Sequence, residues 1–349
     1  MENQTTFYTL VLSGLSDLPS LQLPLFLVFL LVYLMTLTGN LLIVLLICTD
    51  SHLQTPMYFF LGTLACLDMG YSSVTIPRML FDFHTQKRLI SIQACITQIY
   101  FIVFFAMAEL TLLAVMSYDR YVAICRPLHY TQIMHSKTCV LLILGVLIFS
   151  ILNPLVHVLL LLRLSFCRLS PLQSFFCDLP QLLLISCSDT FINLLPIFTF
   201  ATLLCGGIFA LTFGPYIIIL NTIMKMQSKA MRSKAFSTCS SHLTVVFIFY
   251  GTCFFSYFHP NAKDNSAVDK VASVIYTVLT PLVNPLIYSL RNEIMKISFK
   301  RALSIARMRI KHAMAVQEIG AVGDSSLAVV DHVKGKLAPI FVIEPCNTD

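Results

Sequence analysis

Apolar residues in this chain run in long uninterrupted blocks, and polar residues gather in the short gaps between them. The blocks lie at Leu23–Cys48, Met57–Leu80, Ile92–Cys125, Cys139–Leu162, Ile192–Met224, Phe236–Phe258 and Val271–Leu290. A helix needs about 20 such residues to cross the roughly 30 Å hydrocarbon layer of a bilayer, and each block is long enough. The pattern predicts an all-α membrane protein, a seven-transmembrane helix bundle. Pro154, Pro196, Pro215, Pro281 and Pro285 fall inside blocks, which a bundle tolerates because neighbouring groups satisfy the freed carbonyls.

Beyond the seventh block the rhythm changes. Met295, Phe299, Leu303, Ala306 and Ile310 recur at near-helical spacing while Lys296, Lys300, Arg307 and Lys311 take another face, the pattern of a short interfacial helix lying on the inner leaflet. The chain thus divides into an extracellular amino terminus over 1–22, a seven-helix domain over 23–290, an amphipathic helix over 291–312 and a flexible cytoplasmic tail over 313–349. Asn347, Thr348 and Asp349 after Cys346 do not form a prenylation signal.

Composition agrees with a membrane as solvent: 57% of the residues are hydrophobic, 11% are charged, and the mean hydropathy is +0.82. The net charge of +6 reads as topology rather than as a nucleic-acid surface. Lys and Arg concentrate at Arg126 and Lys137, at Lys225, Lys229, Arg232 and Lys234, and from Arg291 to Lys311. The other connections mix Lys87, Arg88, Arg163, Arg168, Lys263 and Lys270 with several aspartates. Positive residues stay inside, so the amino terminus is expected outside a plasma membrane crossed several times. Asn3-Gln4-Thr5 is an N-glycosylation acceptor usable only on that side. No removable signal peptide is apparent at the start, so the first span is expected to target the chain. The 12 cysteines show no paired zinc-site spacing, and no structural metal is expected.

Ionisable residues inside a span are functional candidates by default. Here they are Asp68, Arg78, Glu109, Asp119, Arg120 and His242. Two carboxylates in one bundle, Asp68 and Glu109, either bind a cation such as sodium between them or remain protonated acids satisfied by hydroxyls; spacing leaves both open. Asp119-Arg120-Tyr121 ends the third span, where Arg120 pairs with an acid in one state and turns to a partner's carbonyls in another. Asn284-Pro285-Leu286-Ile287-Tyr288 joins a kinking proline to an amide and a phenol able to exchange partners. Cys95, Cys167, Cys177 and Cys187 face an oxidising compartment, and four cysteines pair in one of three ways. The other eight are expected to be ordinary packing residues.

Together these motifs resemble the rhodopsin-like G-protein-coupled receptors, and longer words resemble their odorant-receptor branch from Met1 to about Arg301. The words are Gly39-Asn40, Pro56-Met57-Tyr58-Phe59-Phe60-Leu61, Met116 to Cys125 around Asp119-Arg120-Tyr121, Lys234 to Leu243, and Pro281 to Asn292. The resemblance implies the pairs Cys95–Cys177 and Cys167–Cys187, coupling to the olfactory stimulatory G protein, and a rise in cyclic AMP. It places Tyr216 and His242 beside Asp119, Arg120, Tyr121, Asn284, Pro285 and Tyr288 in the coupling switch. It implies a pocket lined by Val103, Phe104 and Met107, by Phe200 and Leu204, by Tyr250, Cys253, Phe254 and Tyr257, and by Val274 and Thr277. Phe249-Tyr250-Gly251-Thr252 resembles the branch of land vertebrates, whose ligands are mostly volatile and apolar. Independently, no Lys or Arg lies in the outer halves of the third, fifth or sixth spans to hold a carboxylate, which favours a neutral ligand.

Three features depart from the family pattern: Pro215 stands before Tyr216 in place of the usual serine, the polar word of the second span reads Leu64-Ala65-Cys66-Leu67-Asp68, and the tail beyond Arg309 is long. Pro215 is expected to kink the span locally and alter how Tyr216 reaches Arg120. A chemosensor outside the nose would share this mechanism. A transporter or channel would show internal repeats or a polar pathway through several spans, and the chain shows neither. An intramembrane hydrolase lacks its Ser/His/Asp, HExxH or paired-Asp words, so no enzyme is expected.

Overall fold

The computed structural model describes residues 9–16, 18–166, 172–258, 266–291, 294–304, 307–309 and 311; the side chains at 196–198, 200–205, 234, 238, 253–258, 266–269 and 288–291 lie outside the description. Long helices dominate. α1 is Pro19–Thr49, α2 Pro56–Thr85, α3 Ile92–Cys125 and α5 Ser136–Leu161, with the single turn α4 (Tyr130–Ile133) between the last two. α6 (Leu179–Leu184) is short, and α7 (Phe191–Lys225) and α8 (Lys229–Phe258) are long. The seventh crossing is built from α9 (Ser266–Val274), a π-helical turn at Ile275–Leu279 and α10 (Thr280–Arg291).

Local chemistry explains the starts and stops. Pro19 and Pro56 open α1 and α2 at a position where the missing N–H costs nothing. Ser91 caps α3 by accepting the Ala94 N–H at 3.2 Å. α2 ends at Gln86, whose left-handed φ of 54° lets its N–H close on the Asp82 carbonyl. Within the crossings, Thr38, Thr49, Thr63 and Ser150 turn their hydroxyls back onto carbonyls four residues earlier. Lipid offers no water for these groups, so self-satisfaction is the cheapest arrangement.

Among the described residues six helices are long and apolar enough to cross a membrane. The other long helix, α8, opens with the charged Lys229 and Arg232 before its apolar stretch. The inside–outside pattern inverts that of a soluble protein. On α1, Leu23, Leu27 and Leu31 face outward, while Thr36 and Asn40 are buried. α7 is helical through Pro215 without a break, so the expected kink there is no interruption of the helix.

Outside the crossings a two-stranded antiparallel sheet joins β1 (Thr9–Val11) to β2 (Leu89–Ser91), with Leu10 opposite Ile90. Leu12 bridges to Leu172. Leu10, Leu12, Ile90, Cys95, Ile99, Phe166, Leu172 and Cys177 pack into one apolar cluster at this end. Residues 294–304 are helical, and the chain separates into two compact units after Lys296. Ala306 and Ile310 of the amphipathic pattern lie outside the described residues.

Candidate functional site

The third crossing delivers Asp119 and Arg120 to the end of the bundle opposite the sheet, both buried. Asp119 Oδ2 accepts from Arg120 Nε at 2.9 Å and also from Arg120 Nη2. Its other oxygen, Oδ1, accepts the phenol of Tyr130 at 2.8 Å. Tyr130 is set there by the 3-10 turn Pro127–His129 that reverses the chain after α3. Burial, with the Asp119 carboxylate beside it, holds the Tyr130 phenol well above the usual range. Both oxygens of the carboxylate are therefore engaged, and Arg120 is held against its own neighbour.

Beside this pair, Tyr216 of α7 and His242 of α8 are hydrogen-bonded through the phenol and Nδ1, with rings 5.8 Å apart and nearly parallel. His242 Nε2 is buried without a hydrogen-bond partner among the described residues. Tyr216, Ile219, Ile223 and Cys239 form a cluster against which Tyr121 and Cys125 pack. The structure thus brings Asp119 together with Arg120, and Tyr216 together with His242, as two adjacent pairs. The Tyr288 side chain lies outside the described residues.

Deeper in the bundle, Asn284 Nδ2 donates to both oxygens of Asp68, at 3.0 and 3.1 Å. Asn40 Nδ2 donates to the Pro281 carbonyl at 3.1 Å, four residues before Pro285 on α10. These bonds tie α1 and α2 to α10. Glu109, on α3, is buried, and its Oε1 has no partner among the described residues. Two carboxylates are the right donors for a hard cation, and an orphaned buried oxygen is the acceptor such an ion would satisfy, so the residues fit one. Among the described residues no group of three or more His, Cys, Asp and Glu could hold a metal.

Nearer the middle, Tyr250 of α8 stands edge-on to Phe209 and Phe213 of α7, each at 5.4 Å, and its hydroxyl lies 3.1 Å from Thr212 Oγ1. The Ser117 hydroxyl of α3 donates to the Thr212 carbonyl at 2.6 Å. Tyr276, in the π turn, meets Tyr71 of α2 and Phe249 of α8 at 5.8 and 6.0 Å. Of the predicted pocket, Phe104 and Met107 are half-buried on α3. Val103 packs on the disulfide cluster, and Val274 on a different one with Phe29, Ile76 and Phe176. Thr277 is fully buried and donates to its own helix, at Ser273. The side chains of Phe200, Leu204, Cys253, Phe254 and Tyr257 lie outside the described residues. The clefts around Leu12, Asp82, Arg88 and Phe175, and around Val11, Pro19, Gln22 and Gln86, lie at the sheet end and include none of the predicted lining residues.

At the sheet end a disulfide joins Cys95 to Cys177, with Cα atoms 5.4 Å apart. Gln98 braces it, accepting the Cys177 N–H at 3.0 Å and donating to the Val74 carbonyl at 3.1 Å. Cys187 is also disulfide-bonded, and its expected partner Cys167, like the glycosylation candidate Asn3, lies outside the described residues. Cys48 and Cys66 face outward rather than packing inside, whereas Cys139 and Cys239 are buried as expected. Arg78 is not a lone buried charge: it pairs with Asp82 one turn away at 2.8 Å and donates to the Leu89 carbonyl at 2.8 Å. Tyr130, Thr212 and Tyr276 were not singled out by the sequence, and Ser117 entered only as a member of the Met116–Cys125 word; Tyr130 opens α4, nine residues after Tyr121.

The geometry describes a membrane bundle with a buried, hydrogen-bonded polar cluster at one end and a disulfide-braced cap at the other. A sequence model of the family described as Olfactory receptor matches residues 29–305. The chain belongs to the olfactory receptor family. Human olfactory receptor 5B12 is 47% identical over 312 residues, covering 89% of this chain and 99% of that protein. Human olfactory receptor 7C1 is 48% identical over 305 residues, 87% of this chain and 95% of that protein, and mouse olfactory receptor 5AR1 is 46% identical over 306 residues, 86% and 97% respectively. Squid rhodopsin superposes with a TM-score of 0.65 over 85% of this chain and 91% of that one at 16% identity, a likeness of fold. This olfactory receptor therefore has the seven-helix fold of the G-protein-coupled receptors, is a multi-pass membrane protein, and is a signalling receptor rather than an enzyme.

Proposed function

We propose that this olfactory receptor binds a small, mostly apolar volatile molecule inside the helix bundle and activates the olfactory stimulatory G protein, raising cyclic AMP. The observation that carries the reading is the pairing of Asp119 with Arg120 directly beside Tyr216 and His242. Arg120 has a partner in this state, and Tyr216, the residue expected to receive it, is engaged elsewhere. Activation exchanges these partners: α8 swings, the Tyr216–His242 bond opens, and Arg120 turns to the G protein. The apolar surroundings of Tyr250, with Phe209 and Phe213 against its ring, support a neutral ligand held by dispersion and one or two hydrogen bonds. Phe104, Met107, Tyr250 and Thr277 are assigned to its walls, together with Val103, Phe200, Leu204, Cys253, Phe254, Tyr257 and Val274.

The basic connections support an inner side at Arg120, with the amino terminus, a glycan on Asn3 and the Cys95–Cys177 and Cys167–Cys187 bridges outside. Sodium fits at Glu109 and Asp68, where it would neutralise buried negative charge and favour the closed arrangement. The test is cyclic AMP in cells expressing the chain with a trafficking helper, challenged by a panel of neutral volatiles. A ligand-dependent rise that disappears in Arg120→Ala at unchanged surface level is expected. A rise that persists in that variant sinks the assignment of Arg120.

A further inference from the structure

Thr212 is fully buried and bonded to three helices at once, and the direction of each bond follows from counting protons. Its hydroxyl has a single hydrogen, which goes to the Ile208 carbonyl at 2.8 Å on its own helix. The 3.1 Å contact between Thr212 Oγ1 and the Tyr250 hydroxyl must then be a bond that Tyr250 donates. The Thr212 carbonyl, in turn, accepts the Ser117 hydroxyl at 2.6 Å. Ser117 and Thr212 are both fully buried, so no water replaces either bond if it breaks.

The register makes this point strategic. Thr212 lies one turn before Tyr216 on α7, Ser117 three residues before Arg120 on α3, and Tyr250 about two turns beyond His242 on α8. A rotation of α8 that carries Tyr250 away either severs the bond to Thr212 or drags α7, and Tyr216 with it. We propose that Thr212 is the positioning residue through which Tyr250 governs the switch, a hydrogen-bonded clasp of α3, α7 and α8 that holds the closed state. The idea rests on the receptor reading above and names a determinant of its threshold.

Thr212→Val keeps the volume and removes the acceptor. It is expected to raise ligand-free cyclic AMP by about threefold to tenfold, the worth of one buried hydrogen bond, and to lower the ligand concentration for half response by a similar factor, at unchanged surface level. Thr212→Ser restores both. Ser117→Ala adds to the effect of Thr212→Val, because its acceptor is the carbonyl that valine retains. Amide hydrogen exchange over residues 208–220 in purified, ligand-free receptor reads the clasp without any signalling: faster exchange in Thr212→Val and wild-type rates in Thr212→Ser are expected. Equal exchange in wild type and Thr212→Val overturns the clasp, as does equal basal signalling in a receptor that responds to ligand. A wild type silent to every volatile overturns the receptor reading instead, and exchange still decides the clasp.

Discussion

At Gly70 the second and third crossings come so close that even a methyl group would occupy the space of the Phe105 ring. Asp68 lies two residues before Gly70 and Glu109 one turn beyond Phe105, so this close approach brings α2 and α3 together where their buried carboxylates lie. Gly70→Leu is expected to push Phe105 aside and destabilise the detergent-solubilised receptor by about 1–3 kcal/mol, seen as a lowered thermal midpoint; an unchanged midpoint would mean that the helices separate at no cost. Asp68 and Glu109 stand out in the sequence because charge in an apolar block is conspicuous. Thr212 does not. Thr38, Thr49 and Thr63 bond their own helix in the same way, and nothing in composition distinguishes a threonine that also accepts from another helix. The Cys95–Cys177 pairing likewise followed from family resemblance and not from spacing.

Whole elements were easier to read. Lipid demands continuous apolar stretches, and the seven blocks correspond to helices whose ends differ from the expected ones by seven residues or fewer, most at Lys229, Thr85 and Ser266. The π turn at Ile275–Leu279 had no signal, since its extra residue per turn leaves the apolar pattern intact. Nor did the strands β1 and β2, each of three residues, too short for alternation to register. The segment leading into α6 offers a test of its own. Asp178 is half-buried, and burial lifts its carboxyl to about 6 from an ordinary value of 3.8, although the Leu179 N–H opposes this. The folded state therefore keeps a proton that the unfolded state releases between these values. The contribution of Asp178 to stability is full below about 4, falls as pH rises towards 6, and is absent above. Thermal midpoints measured from pH 4 to 7 should decline more steeply in wild type than in Asp178→Asn; parallel profiles would count against a buried acid here.

For the molecule as a whole, the polar groups form a column between the two ends of the bundle. Gln98 braces the disulfide, Asn284 holds Asp68, Thr212 gathers Ser117 and Tyr250, and Asp119 gathers Arg120 and Tyr130. The bottom of the column is held by a carboxylate with two donors, so removing one loosens the other's hold. Tyr130→Phe is expected to raise ligand-free cyclic AMP by about twofold to fivefold, the effect of a modest hydrogen bond, without altering ligand selectivity; a variant that signals only at wild-type basal level would leave Arg120 as the sole tether.

The sheet at the other end has a consequence for the order of events during synthesis. β1 emerges first, yet its partner strand lies some 80 residues later and the Leu172 that bridges to Leu12 later still. This segment of the nascent chain must therefore wait, unpaired, until two crossings have been threaded into the bilayer, and for its bridge to Leu172 until four have. Chains arrested before Leu89 should be protease-sensitive at residues 9–12, and chains arrested well beyond Leu172 should not.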